Sequence, residues 1–344
     1  MTGEDREIKE EYTTSFDDIV GQEPLKEYFQ NAVRTERMAN TYLISGAKGS
    51  GKSMMAEAFA AALLCEEKTG VPCGNCPACS KFRRRNHPDY IEIQHEKPKL
   101  ISVEDVRSQL VEQIGYAPSE GEHRIFVIEN AELMNPAAQN AILKSIEEPP
   151  AYAVIMLLTE NPDALLPTIR SRAVSLEMKP VRVEEIEKYL ISKYALPDYH
   201  ARVVSQFSQG NIGRALLLSE SEDFRKRKEK VTRSIERIRK SPEYQIEEII
   251  GDFLSEGGKE NLDECLNLIL IWYRDVLLYK ATGSDRHIIY REEFAQVRRQ
   301  AENESYQHLN KVLLEVKETQ DRLKANMKAE SALNLLFLRI KGDK

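Results

Sequence analysis

Residues 42–53 read Tyr-Leu-Ile-Ser-Gly-Ala-Lys-Gly-Ser-Gly-Lys-Ser, and this stretch decides the fold. A short apolar run, Tyr42 to Ile44, leads to Gly46, and after a four-residue gap come Gly51, Lys52 and Ser53. The spacing G-x-x-x-x-G-K-[ST] is that of a phosphate-binding loop. Gly46, Gly49 and Gly51 let backbone N–H groups curl around an anion, Lys52 reaches the outer phosphates, and the Ser53 hydroxyl can hold Mg²⁺. Met54 to Leu64 then reads as a helix whose N-terminus faces the anion. Nucleotide binding, as ATP or ADP with Mg²⁺, is therefore expected. Hydrolysis depends on residues further along.

The chain has 344 residues, 41% hydrophobic and 31% charged, enough for two or three domains. It contains no apolar run near the ~18 residues a membrane helix needs, so no membrane role is expected. The acidic start, Glu4-Asp5-Arg6-Glu7, is unlike a signal peptide, which points to the cytoplasm. Residues 1–15 are expected to be frayed. A net charge of −7 means that any DNA contact must use a local basic face or a partner chain.

Of five cysteines, four cluster: Cys65, then Cys73, Cys76 and Cys79 spaced C-x₂-C-x₂-C. Four thiolates at such separations can surround one tetrahedral Zn²⁺, with Gly74, Asn75, Pro77 and Ala78 making the turns between them. Reduced core cysteines are the simpler alternative, but buried cysteines rarely crowd around Gly and Pro on a turn. Such a site is structural, because four cysteines leave no open coordination position. Cys265, within an apolar helix, is expected in the core, and His87 is taken as structural.

Arg124 to Ile128 reads as an apolar strand that ends in Glu129, a carboxylate placed to share the Mg²⁺ shell. The next position, where hydrolases of this design carry a water-activating glutamate, is Asn130, which cannot accept a proton. Glu132 is two residues off that spacing. Ser102 and Asp105 form a near capping box at the start of a helix, and Glu23 to Met38 reads as another helix. Ala137 to Ile146 is a helix that Pro149-Pro150 stops, and Ala153 to Thr159 is a buried strand. Alternating strands and helices predict a parallel α/β sheet with helices on both faces. Arg170 and Arg172 are either surface residues or, for one of them, a cation offered to a neighbour's γ-phosphate.

From Val181 the texture becomes helical. Residues 224–240 are strongly basic, mostly as a solvated face, with DNA contact as the minority reading. Residues 262–282 and 305–340 are expected to form long amphipathic helices, Leu309, Val312, Leu313, Val316, Leu323, Met327, Leu333, Leu336 and Phe337 recurring near helical spacing in the latter. The boundaries predict an α/β domain over 1–180 with the cysteine insertion at 65–79, a helical lid over 181–220 and an all-α domain over 221–344.

Ile19-Val20-Gly21-Gln22, the phosphate loop, the four cysteines, Asn86-His87-Pro88-Asp89, Asn140 through Pro150 and Leu166 through Arg172 together resemble the bacterial clamp-loader family. Its members are AAA+ proteins that load the sliding clamp onto primed DNA for the replicative DNA polymerase III. The resemblance covers residues 15–220, and the helical last third fits it as a collar. It implies gamma/tau and delta subunits as partners, with clamp and DNA reached through the complex. It also implies that Ser171-Arg172 supplies an arginine finger in trans, that Arg214 after Gly210-Asn211-Ile212-Gly213 is a second sensor, and that Thr159 lies near the first. The gamma/tau ATPases carry Asp-Glu where this chain has Glu129-Asn130, so the resemblance implies a stator with little turnover of its own. An active gamma/tau-like motor is the alternative. A zinc-containing DNA adaptor without nucleotide is a third reading, and the intact Lys52 and Ser53 oppose it.

Overall fold

The structure is a computed structural model that describes Tyr12 and residues 15–254, 259–285, 288–325 and 327–342. Apart from Tyr12 and Ser15, the stretch 1–15 expected to be frayed lies outside the described residues. The chain divides into two compact units. One runs up to Tyr189 and takes in Gln209–Arg214; the other holds Leu190–Ser208 and the residues from Ala215 onward.

The first unit is built on five parallel strands: β1 (Thr41–Ser45), β2 (Tyr90–Glu92), β3 (Arg124–Ile128), β4 (Ala153–Thr159) and β5 (Val174–Glu177). Their order is β2-β3-β4-β1-β5. Helix α1 (Glu23–Arg34) precedes β1, and α2 (Lys52–Leu64), α3 (Pro77–Arg83), α4 (Val103–Val106), α5 (Pro136–Glu147) and α6 (Pro167–Arg170) lie between the strands in sequence. Alternate strand residues feed two cores, because successive side chains leave opposite faces of a sheet. Tyr42, Ile44, Ile125, Val127, Val154, Met156 and Leu158 pack with Phe29 and Val33 of α1 and Phe59 of α2. Leu43, Phe126, Ile128, Ile155 and Leu157 pack with Val106 of α4 and Ala138, Ile142 and Ile146 of α5. The continuous apolar runs are thus covered on both faces, as the AAA+ resemblance implies. Buried from Met55 to Leu64, α2 is lined with small alanines that let it pack closely on every side.

Local chemistry corrects two details. Helix α1 stops at Arg34 rather than Met38: Glu36 takes a left-handed φ of 54°, and the Thr35 hydroxyl donates to Asn31 O at 2.7 Å. The capping box at α4 is complete, with Asp105 N–H donating to Ser102 Oγ (3.3 Å) and Ser102 N–H to Asp105 Oδ2 (2.8 Å).

Register then sets the position of the site. Ser45 pairs with Thr159 and Glu177, and Ile128 with Leu157. The carboxyl ends of β1, β3 and β4 therefore share one edge, where ligands bind in open α/β sheets.

Helices α7 (Val183–Tyr194), α8 (Asp198–Phe207) and α9 (Ile212–Glu220) follow, and the rest of the second unit is α10 (Glu222–Lys240), α11 (Ile246–Leu254), α12 (Lys259–Thr282), α13 (Phe294–Asn303), α14 (Tyr306–Lys324) and α15 (Ala329–Lys341). The stretch 305–340 is two helices, not one. An unbroken helix would leave its apolar stripe uncovered, whereas α14 and α15 pack together and bury Leu309, Val312, Val316, Leu333, Leu336 and Phe337. Cys265 is buried, as expected. No helix among the described residues is long and apolar enough to cross a membrane.

Within α12, Asp275 is fully buried, and its Oδ2 accepts the N–H groups of Ile289 (2.7 Å) and Tyr290 (2.8 Å). Burial outweighs these bonds and pushes its pKa up to about 6. The folded state therefore holds a proton that the unfolded state has released between the ordinary carboxylate value and about 6, so stability falls as pH rises through that window. The expected loss between about pH 4 and about pH 7 is about 3 kcal/mol, and Asp275→Asn should remove this dependence. The chain's single tryptophan, Trp272, is buried one turn away and reports the transition by fluorescence in urea titrations across that range.

Candidate nucleotide and metal sites

The loop between β1 and α2 is shaped by its glycines, with Gly49 at φ 78° and Gly51 at φ 96°. At the loop's start, the Gly46 N–H donates to Thr159 O (3.1 Å), tying it to the end of β4. The first-turn N–H groups of α2 have no partners within the helix and open toward the sheet edge. Ser50 Oγ is buried without a hydrogen-bond partner, an orphan donor beside those amides. This donor set fits a phosphate. Lys52 Nζ rests on the loop's own carbonyls, Gly46 O at 2.7 Å and Ala47 O at 3.1 Å. Burial pushes its pKa down, opposed by Glu160, Glu132 and Glu129. Ser53 follows in the same first turn.

Glu129 lies exposed just beyond β3. Asn130, next to it, adopts a left-handed φ of 50°, a conformation that asparagine tolerates better than most residues. Thr159 is fully buried at the end of β4, and its hydroxyl donates to Glu132 Oε2 at 2.7 Å. The Glu160 N–H also donates to Glu132 Oε2 (3.3 Å). Glu132 thus reaches the site although its sequence spacing placed it outside the motif.

The start of α9 reaches the loop directly. Asn211 Nδ2 donates to Lys48 O (2.6 Å), Gly213 N–H to Gly49 O (2.9 Å), and Arg214 N–H to Asn211 Oδ1 (2.9 Å). A Cβ on Gly213 would lie 2.8 Å from Gly49 Cα, so the two backbones meet only because both residues are glycine. Arg214 is thereby held beside the loop. Gln22 bonds to the backbone of Lys179, its Oε1 accepting the Lys179 N–H at 3.1 Å, and Met178 packs against Gly46. Met178 has no sequence signal as a site residue; Gln22 and Asn211 stand in motifs of the resemblance and Glu132 is off the motif's spacing, but the contacts through which each acts are distant in sequence.

Arg172 follows α6, on the surface. Its Nη2 pairs with Glu147 Oε1 (3.0 Å), while Nη1 donates to Thr168 O (3.2 Å). Arg170 pairs separately with Asp163 at 2.6 Å. The Glu147-Glu148-Pro149-Pro150 stretch therefore braces the Ser171-Arg172 stretch, leaving the guanidinium half-exposed.

The sulfurs of Cys65, Cys73, Cys76 and Cys79 lie within 4.8 Å of one another and can hold a metal ion. A tetrahedron with ~2.3 Å metal–sulfur bonds has edges of about 3.8 Å, so binding requires only about 1 Å of contraction. Cys73 N–H donates to Cys65 Sγ (3.3 Å), Cys76 N–H to Cys73 Sγ (3.4 Å) and Cys79 N–H to Cys76 Sγ (3.4 Å), contacts that favour thiolates. At Cys76 burial is outweighed by the backbone N–H groups of Glu66 and Cys79, which bring the pKa down to about 7, whereas burial pushes the Cys79 thiol well up. Arg34 Nε holds the insertion by donating to Thr69 O (2.8 Å), and Lys81 by pairing with Glu120 (2.5 Å). His87 is buried with Nδ1 accepting the Asp89 N–H (3.2 Å), and Asp89 accepts the N–H groups of Ser119 (2.6 Å), Glu120 (2.9 Å) and Gly121 (3.2 Å). Both roles are structural.

A family model described as DNA polymerase III, delta subunit, matches residues 21–182. The chain is 28% identical over 312 residues to DNA polymerase III subunit delta' of Bacillus subtilis, covering 90% of this chain and 92% of that one. To the delta' subunit of Pseudomonas aeruginosa it is 41% identical over 138 residues, 40% of this chain and 42% of the other. It is also 32% identical over 214 residues to subunit tau of Salmonella typhimurium, 60% of this chain but 33% of tau. The chain thus spans about a third of tau and nearly all of a delta' subunit. With the match to a delta' subunit running nearly the length of both chains, these similarities support a clamp-loader subunit of DNA polymerase III, with delta' as the main reading.

Proposed function

We propose that the chain is a stator of a cytoplasmic clamp loader, binding nucleotide without turning it over and lending Arg172 to a neighbouring ATPase subunit. The observation that carries this reading is Asn130 beside a complete phosphate loop. Lys52, Ser53 and the first-turn amides of α2 supply what a nucleotide's phosphates and Mg²⁺ need, with Glu129 completing the metal's surroundings. Nothing at Asn130 can take a proton from an attacking water. Thr159 and Arg214 act as sensors of occupancy, and the four cysteines hold structural Zn²⁺. The partners are gamma/tau and delta subunits, and the chain acts on the clamp and primed DNA through them. The division into α/β domain, lid and collar belongs to the same proposal.

A gamma/tau-like motor is the second reading, favoured by the Glu132 carboxylate at Thr159. Binding and turnover by the isolated chain separate the two. The stator binds nucleotide yet turns it over no faster than Lys52→Ala, which itself should bind at least about tenfold more weakly through loss of charge-assisted bonds. Brisk turnover that disappears in Lys52→Ala would establish the motor.

A further inference from the structure

We infer that Glu132 makes the phosphate loop selective for a nucleoside diphosphate over a triphosphate. This rests on the reading of residues 46–53 as a nucleotide site. Lys52 marks the outer-phosphate end of such a site. There the field at the Lys52 ammonium is shaped by three carboxylates, Glu160, Glu132 and Glu129, each favouring its charged form. Only Glu129 stands where a Mg²⁺ shell uses it, leaving Glu132 and Glu160 as negative charge that no phosphate needs.

Glu132 also occupies the residue that would inspect the terminal phosphate. Thr159 is fully buried, and its hydroxyl proton is committed to Glu132 Oε2 at 2.7 Å. The backbone N–H of Glu160 points at the same oxygen (3.3 Å). Two donors that could meet a γ-phosphate are thus satisfied by a carboxylate of the protein. A third phosphoryl group has to displace that carboxylate or lie against it, and at the short distances and reduced dielectric of a half-buried site the repulsion exceeds thermal energy several-fold. The β-phosphate escapes this cost, because the first-turn amides of α2, the Ser50 hydroxyl and Lys52 receive it on the other side.

The test is calorimetric titration of the full chain with MgADP and with a non-hydrolysable triphosphate in Mg²⁺. The wild type should bind MgADP at least about tenfold more tightly than the triphosphate. Glu132→Gln keeps the shape and an oxygen for Thr159 while removing the charge; it should raise triphosphate affinity about tenfold and leave ADP affinity within about twofold. Glu160→Gln, on an exposed side chain that donates only its backbone to this network, should shift the ratio in the same direction by less. Equal affinity for both nucleotides in the wild type would overturn the inference and leave the nucleotide site standing. A Glu132→Gln effect equal on both nucleotides would also overturn it, reducing Glu132 to a support for Thr159. Failure of both nucleotides to bind would overturn the nucleotide site together with the inference.

Discussion

In a reconstituted loader, Arg172→Ala should lower turnover at the neighbouring site it serves by ~10³–10⁵-fold, the range an arginine finger contributes. The guanidinium is suited to this because one edge is fixed and the other faces outward. Glu147 at 3.0 Å and Thr168 O at 3.2 Å hold it, yet the side chain remains 42% exposed. A planar cation arriving with its orientation already set loses little freedom when it meets transferring charge. The same exposure means that the substitution costs the chain little. A surface ion pair contributes about 0–1 kcal/mol, so assembly should be unchanged by gel filtration. Arg172→Lys keeps the charge but loses the fork, and should recover only part of the rate. DNA-stimulated ATP hydrolysis by the whole complex is the measurement. An unaltered rate in the alanine variant would make Arg172 an ordinary surface residue.

The second large effect is on stability. The purified chain should carry about one equivalent of zinc, and Cys76→Ser or Cys79→Ser should reduce this below about a tenth. Peptides that fold entirely around one zinc ion gain about 10–16 kcal/mol from it. Here the insertion is also fastened by Arg34 on Thr69 O and Lys81 on Glu120, so the expected loss is smaller, about 3–5 kcal/mol. Metal analysis and thermal melting with and without a chelator check both parts. Cys265→Ser is the control: that thiol lies in the other unit, and its loss should leave the zinc content unchanged.

Much of the first unit was legible because its signals are local. A strand, a glycine-rich loop and a helix within about two dozen residues give the sheet edge on which the site sits. Three cysteines spaced C-x₂-C-x₂-C around Gly74, Asn75, Pro77 and Ala78, with a fourth at Cys65, mark a tight turn that gathers thiols. The apolar runs at β3 and β4 could be read as doubly covered strands because neither alternates with polar residues. Contacts between distant residues were not legible. Nothing near Asn211 or Gly213 in sequence announces that they meet Lys48 and Gly49. Glu132 looked misplaced by two positions because spacing along a chain ignores the turn that Asn130 makes at φ 50°. The break within 305–340 was hidden for a different reason: two helices that cover one another's apolar faces show the same periodicity as one long helix.

Helix α2 has a consequence for how the chain behaves as a mechanical object. Its 13 residues make a rod about 20 Å long, with Lys52 at one end and Cys65 capping the other. Buried from Met55 to Leu64, the rod has little soft section beyond its first turn that could absorb a displacement of the cysteine end. The cysteine cluster is therefore a fixed bearing for the phosphate loop: loosening it shifts the first-turn amides that face the anion. On the proposed reading, with a metal at the cysteines and a nucleotide at the loop, stripping the metal should weaken nucleotide binding in a titration with and without a chelator, even though no sulfur touches the phosphate loop.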